Sequence, residues 1–318
     1  MSKCSPKLLR FSQRQPSSWV KRSCNHLKMP ILLDLSGFSS FPERVVSLVP
    51  SMSESLFDLG MGAHLVGVTD YCIHPSQVLD LPKVGGTKNT RVDQVLQLSP
   101  DLVIANQEEN SRICVEELAQ TLNVWLTFPK TVRQALDDLW QLVYLFRQER
   151  AFASLRTLET AVEYAENRLF DLQPVPVFVP IWQDQTPSGV HWWMTFNRDT
   201  YCHDLIRLMG GNNVFAERKR RYPLDADLGF AAEIAGEGVD TRYPHVTVEE
   251  VLEAQPELIL LPDEPYLFQD EDVQEIFRLL EKTPAVKHNK VYGIEGSLLT
   301  WHGTRLGKAL VELTQYFD

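Results

Sequence analysis

The chain has 318 residues, 44% of them hydrophobic and 23% charged, with a net charge of -11. That length holds two domains with their own cores, and the composition is that of a folded globular protein, not a disordered one. Surplus acidic charge repels phosphate, which argues against general nucleic-acid binding, and no window approaches the roughly 20 apolar residues of a membrane span.

Residues 1–40 read as a disordered basic tail. Lys3, Lys7, Arg10, Arg14, Lys21, Arg22 and Lys28 are spread through it with no apolar run of signal-peptide type, so the chain as written reads as cytoplasmic. A transit segment, or a true start at Met29, would make it organellar or periplasmic instead. The five cysteines (Cys4, Cys24, Cys72, Cys114 and Cys202) form no C-x-x-C pair and fit free thiols.

From Arg44 onward, apolar runs and helical spacings alternate. Val45–Val49 predicts a strand, and Ser51-Met52-Ser53-Glu54 reads as a capping box opening a helix that stops near Gly60–Gly62. Leu65–Thr69 predicts a strand, Arg91–Leu98 a helix, Asp101–Ala105 a strand, Ser111–Leu122 a helix and Val124–Phe128 a strand. Thr131 to Leu172 carries helical spacing throughout, read as one helix leading into a second, long one ahead of Pro174 and Pro176. Strands follow at Val175–Trp182 and Val190–Phe196, then a helix at Tyr201–Met209 stopped by Gly210-Gly211, and a long loop from Glu217 to Pro244. A helix at 247–254, a strand at 257–261, a helix at 271–282, a strand at 290–294 and a helix at 304–317 complete the chain. Such alternation predicts an α/β fold with parallel sheets covered by helices.

An internal repeat divides the molecule. Arg91–Ala105 (RVDQVLQLSPDLVIA) and Thr247–Leu261 (TVEEVLEAQPELILL) align without gaps, with Val92, Val95, Leu96, Pro100 and Leu102 matching Val248, Val251, Leu252, Pro256 and Leu258. Two copies either side of a helical stretch imply two Rossmann-like lobes, residues 41–130 and 173–318, joined by a helical linker over 131–172 that includes a long rigid helix. A ligand cleft then lies between the lobes. Aromatic residues fall where its loops converge: Tyr71, Tyr243 and Trp301 on strand-to-helix connections, and Trp182 and Trp193 on strands. Flat ring faces there suit a large planar ligand, although a single tryptophan on a strand is as readily core. Asp93 and Glu249 share one repeat position near a helix start, where an acid suits the helix dipole or forms a symmetric exposed pair. The eight histidines show no metal-ligand spacing, and G-x-S-x-G, Walker A and G-x-G-x-x-G motifs are absent.

With RVVSLVPSMSESLFDLG, LVGVTDYCIHP, VDQVLQLSPDLVIA, LIRLMGGNNVF, VTVEEVLEAQPELILL and WHGTRLGKAL in this order, the chain resembles the periplasmic-binding-protein family with a helical backbone. These are the cobalamin, haem and iron-siderophore carriers of ABC importers, and the cobalamin-binding subgroup is the nearest. The resemblance implies a binding protein and not an enzyme, monomeric, with no intrinsic cofactor, holding cobalamin or a related corrinoid or metal chelate. It implies Tyr71 and Tyr243 as ligand contacts, and Trp301 matches a motif of cobalamin-binding members; Trp182 and Trp193 join this set from the aromatic pattern above. It also implies Asp93 and Glu249 as acids that dock on arginines of an ABC permease. Two family tryptophans are replaced, one by Gly86-Thr87 and one by Asn106, and Asn106 joins the ligand-binding set. Two other readings stay open: a tetrapyrrole- or metal-chelate-modifying enzyme using His74 or His302 with Glu295, and a receptor for a bare metal ion.

Overall fold

A computed structural model describes residues 31–317, with 39, 235 and 237 excepted. The first half runs β1 (Ile31–Leu32), β2 (Val45–Ser47), α1 (Pro50–Asp58), β3 (Leu65–Val68), α2 (Val92–Gln97), β4 (Leu102–Asn106), α3 (Arg112–Leu118) and β5 (Val124–Thr127). Its five strands form a parallel sheet in the order β1-β5-β4-β2-β3. Two helices follow, α4 (Val132–Leu145) and α5 (Phe152–Arg168).

The second half continues with β6 (Val175–Phe178), β7 (Trp182–Gln185), β8 (His191–Met194), α6 (Tyr201–Leu208), β9 (Gly211–Asn213), α7 (Leu224–Asp227), β10 (His245–Thr247) and α8 (Val248–Ala254). It closes with β11 (Leu258–Pro262), α9 (Asp270–Leu279), α10 (Pro284–Lys287), β12 (Val291–Ile294), α11 (Ser297–Thr300) and α12 (Leu306–Glu312). Four strands make a parallel sheet in the order β12-β11-β6-β9, and β10-β8-β7 form a separate antiparallel one.

The repeat is structural as well as sequential. β4 lies between β5 and β2 with β3 beyond, and β11 lies between β12 and β6 with β9 beyond, so the two parallel sheets share one order. The backbone agrees residue by residue: Ser99 and Gln255, at the same repeat position, both take positive φ (46° and 47°) where their helices end. Two positions on, Asp101 and Glu257 each donate a backbone N–H at 2.8 Å to the start of the neighbouring strand, at Arg44 and Pro176.

The connecting helices belong to the core. One apolar cluster runs from Val45, Met52 and Trp125 through Leu139 and Val143 of α4 and Leu155 and Val162 of α5 to Val177, Leu258 and Phe317. α4 contributes nine buried residues and α5 only two, so the shorter helix is the one that cements the halves. Separate clusters cover the outer faces of the two sheets, one around Val46, Val103 and Val115, the other around Phe178, Trp193 and Ile276.

Several local expectations are corrected. The Ser51–Glu54 motif caps nothing: proline is favoured in the first helical turn, α1 starts at Pro50, and Ser51 lies inside it. The serines of α1 are buried, and the hydroxyls of Ser53 and Ser55 donate to the carbonyls of Val49 and Ser51 at 3.1 and 2.7 Å. Val175–Trp182 is not one strand, because β6 ends at Phe178 and β7 starts at Trp182 in another sheet. Gly211–Asn213 is an edge strand, and Ile31–Leu32, which the sequence places in the tail, pairs with β5. The remainder of that tail expectation, residues 1–30, lies outside the described residues.

The chain's last segment returns across the molecule to α1. Gly303 has φ +107°, and a Cβ there would meet Ser55 Oγ at 2.3 Å, while Thr304 N–H donates to the same oxygen at 3.0 Å. Arg305 then places its guanidinium on Glu54 at 2.7 and 2.8 Å and on Glu295 at 2.6 Å. Only glycine fits this approach in this conformation. Gly303→Ala is expected to lower unfolding free energy by about 2 kcal/mol or more, read as a shift in the urea midpoint; an unchanged midpoint would show that the turn relaxes freely.

Candidate functional site

In parallel α/β sheets ligands bind outside the carboxyl ends of the strands. The loop leaving β4 reaches across the boundary between the two halves to residues 242–243, and the loop leaving β11 places the Glu264 charge near it. Continuing the repeat three residues beyond Ala105 and Leu261 pairs Glu108 with Glu264.

Asn106 builds the first loop from beneath. Its Oδ1 accepts from the backbone N–H groups of Glu108 and Glu109 at 2.7 and 3.2 Å, and its Nδ2 meets Thr127 Oγ1 and His302 Nε2, both at 3.2 Å. It is 1% exposed. The structure therefore gives Asn106 a loop-shaping place, with its polar atoms engaged by protein, in contrast to the ligand-facing place implied by the resemblance.

Glu108 faces the second half. Its Oε1 accepts from the Tyr243 hydroxyl at 2.7 Å and pairs with the Arg242 guanidinium. Arg242 is held by Asp240, at 2.8 Å from Nε and 2.6 Å from Nη2, and its Cζ lies 4.7 Å from the centre of the Phe128 ring. Burial alone would lower the Arg242 pKa; the bond to Asp240 and the Glu108 charge outweigh it and raise it. Burial, then the Glu108 charge, pushes the Tyr243 phenol well above its ordinary value, so it stays a neutral donor.

Glu109 is a half-buried carboxyl among like charges. Burial, then the charge of Glu108, pushes it from 4.5 up to about 8, with Lys88 pulling it back and Glu264 adding to the rise. The Lys88 ammonium donates to the Glu108 carbonyl, and burial lowers its pKa. Across the boundary, Glu264 accepts from Thr300 Oγ1 at 2.9 Å and from the Trp301 side chain; burial raises it above the ordinary carboxylate range.

The aromatic candidates separate into two groups. Tyr243 belongs to the cluster just described. Tyr71 is 62% exposed, with its ring beside Gly86, two residues before Lys88, since a Cβ on Gly86 would come 3.2 Å from it. Trp301 has the Arg305 guanidinium 4.8 Å from its ring centre and His74 at 6.1 Å, which joins the Tyr71 loop to the chain's last segment. Trp182 is 41% exposed on the second half, 5.3 Å from the Tyr266 ring. Trp193 is completely buried, with Phe178 and His191 against its ring and its Nε1 donating to Gln183 at 3.2 Å. No face of Trp193 is open for stacking, so it is a core residue where the aromatic pattern had offered it as a cleft contact.

Asp93 and Glu249 lie in the first turns of α2 and α8 and are both exposed, in equivalent places on the two halves. Glu295, the carboxylate proposed to pair with His74 or His302, is engaged by other residues. Glu295 is taken by Lys308, Ser297 and Arg305, which hold it down to about 2, and His302 is buried against Asn106 and Tyr201. Among the described residues no three His, Cys, Asp or Glu side chains are grouped to hold a metal ion. No helix of the described residues is long and apolar enough to cross a membrane.

Sequence reading passed over Glu108, Glu109, Phe128, Arg242 and Glu264. For the two glutamates at equivalent positions, 108 and 264, the signal was present in the repeat, had it been followed past the strand ends.

Two parallel sheets of matching order, a shared helical core and facing strand-end loops define a two-lobed α/β solute-binding protein. A model of the periplasmic binding protein family matches residues 45–298, and the chain belongs to that family. Its homologues are transport binding proteins, so this is a solute-binding protein and not an enzyme. A vitamin B12-binding protein of Photorhabdus laumondii is 25% identical over 249 residues, covering 76% of this chain and 80% of the relative. One from Yersinia pestis is 27% identical over 208 residues, covering 65% and 69%. The fold matches the crystal structure of a periplasmic vitamin B12 binding protein of Vibrio cholerae (TM-score 0.66, 20% identity, 87% of this chain and 97% of that one). It also matches a periplasmic heme-binding protein of Roseiflexus sp. RS-1 (TM-score 0.63, 22% identity, 86% and 97%).

The Glu109 carboxyl sets a pH dependence. Below pH 4.5 it is protonated both folded and unfolded; from there to about pH 8 only the folded form keeps its proton, so stability falls as pH rises. The slope from this group reaches at most about 1.4 kcal/mol per pH unit. Glu109→Gln is expected to remove that part of the decline in urea unfolding free energies measured across the interval; parallel slopes for the variant and the parent would refute it.

Proposed function

We propose that the chain binds a corrinoid of the cobalamin type in the cleft between its halves. The observation that carries this is the Tyr243–Glu108 bond across the boundary, with Glu109 beside it and the Glu264 charge near. Tyr71 and Trp301 supply ring faces beside it, with Trp182 as a further contact on the second half. The lobes on this reading span residues 41–130 and 173–318, with 131–172 as the linker. Relatives named as vitamin B12-binding proteins support the ligand class. The chemistry of the cleft supports it too: corrin amides can donate to its carboxyl oxygens and accept from Glu109 while that carboxyl keeps its proton.

Family membership also favours work outside the cytoplasmic membrane, against the cytoplasmic reading of the sequence as written. Asp93 and Glu249 are then the acids that dock on an ABC permease. Reversing both to arginine is expected to abolish ligand uptake in cells while leaving ligand binding by the purified protein intact; undiminished uptake would remove the docking role.

The ligand is tested by titrating purified protein with cyanocobalamin and with hemin, following protein fluorescence and calorimetric heat. Cyanocobalamin is expected to bind with Kd of about 1 μM or tighter and hemin at least about tenfold more weakly. Tyr243→Ala is expected to weaken cyanocobalamin by about 1–3 kcal/mol. Binding of hemin alone would make the site a carrier of a different tetrapyrrole, and silence with both would refute the reading.

A further inference from the structure

Tyr243, read above as a ligand contact, spends its hydroxyl on Glu108 of the opposite half. The same carboxylate oxygen takes the Arg242 guanidinium, so two donors from one half converge on one acceptor from the other. The partners are shielded, with side-chain exposures of 13% for Arg242 and 26% for Glu108, which makes the pair stronger than a surface ion pair.

Both sides are preset for this contact. Asp240 fixes the guanidinium through Nε and Nη2 and also accepts the Arg242 backbone N–H at 3.0 Å, while the Phe128 ring covers its face. On the other side, Asn106 Oδ1 holds the Glu108 backbone N–H at 2.7 Å, and Lys88 holds its carbonyl. Arg242 therefore has little side-chain freedom left to lose, and Glu108 is offered from a fixed backbone.

We propose that Glu108, Arg242 and Tyr243 form a latch across the cleft that competes with the ligand. A molecule that claims the Tyr243 hydroxyl, or enters between the β4 loop and residues 241–244, displaces the Glu108 contact first. The latch therefore sets the rate of entry and subtracts from affinity. The competition rests on the corrinoid-binding reading; the contact itself does not.

Two measurements on the full chain separate these. Hydrogen exchange without added ligand is followed in peptides covering 106–110 and 241–244, in the parent protein and in Glu108→Gln, Arg242→Met and Asp240→Asn. Exchange is expected to quicken about tenfold in the first two and less in the third, which only loosens the guanidinium. Stopped-flow mixing with cyanocobalamin is expected to show association about 3- to 10-fold faster in Glu108→Gln and in Arg242→Met. Unchanged exchange in both variants overturns the latch, as does faster exchange with unchanged or slower association. If cyanocobalamin fails to associate with the parent protein, the ligand reading falls, and exchange still decides whether the contact ties the two loops together.

Discussion

The arrangement depends on a single continuous apolar core shared by both halves. Leu139 and Val143 on α4 and Leu155 on α5 touch the same cluster as Val45 and Met52 on one side and Val177 and Leu258 on the other. A core of that kind is close-packed and resists shear, so the two parallel sheets are held in fixed relation. The loop after β4 then reaches residues 242–243 of the other half without needing a hinge to bring it there.

The return of the chain to α1 reinforces this constraint. Serines with short side chains on α1 admit Gly303 and Thr304, and Arg305 is buried between Glu54 and Glu295. Removing one partner from such a buried ion-paired group leaves an uncompensated charge, so the three are bound to one another structurally. This explains why Glu295 is unfit for proton transfer: its charge is already committed to Arg305 and Lys308. Local rearrangement of loops at the cleft mouth is compatible with such a frame, whereas a swing of whole lobes is not.

Much of this was legible in the sequence. Gapless matching of residues 91–105 with 247–261 pointed to paired sheets, and the match extends to φ at Ser99 and Gln255 and to strand order. Tyr243 could be placed near the cleft because it precedes the second repeat helix. Trp193 could not be assigned to core or cleft, since its strand is buried at His191, Trp192 and Trp193 alike and carries no alternation to read. The Ser51 motif misled because Pro50 can begin a helix, and serines inside it bond back to the preceding turn. Glu108 and Arg242, 134 residues apart, carry no mutual signal in the sequence; their meeting is a product of the fold.

Whether the halves truly form one cooperative unit is most directly tested by differential scanning calorimetry of the ligand-free chain. A shared core requires a single endotherm, with a calorimetric-to-van't Hoff enthalpy ratio of about 1. Two resolved endotherms, one for each sheet, would contradict it.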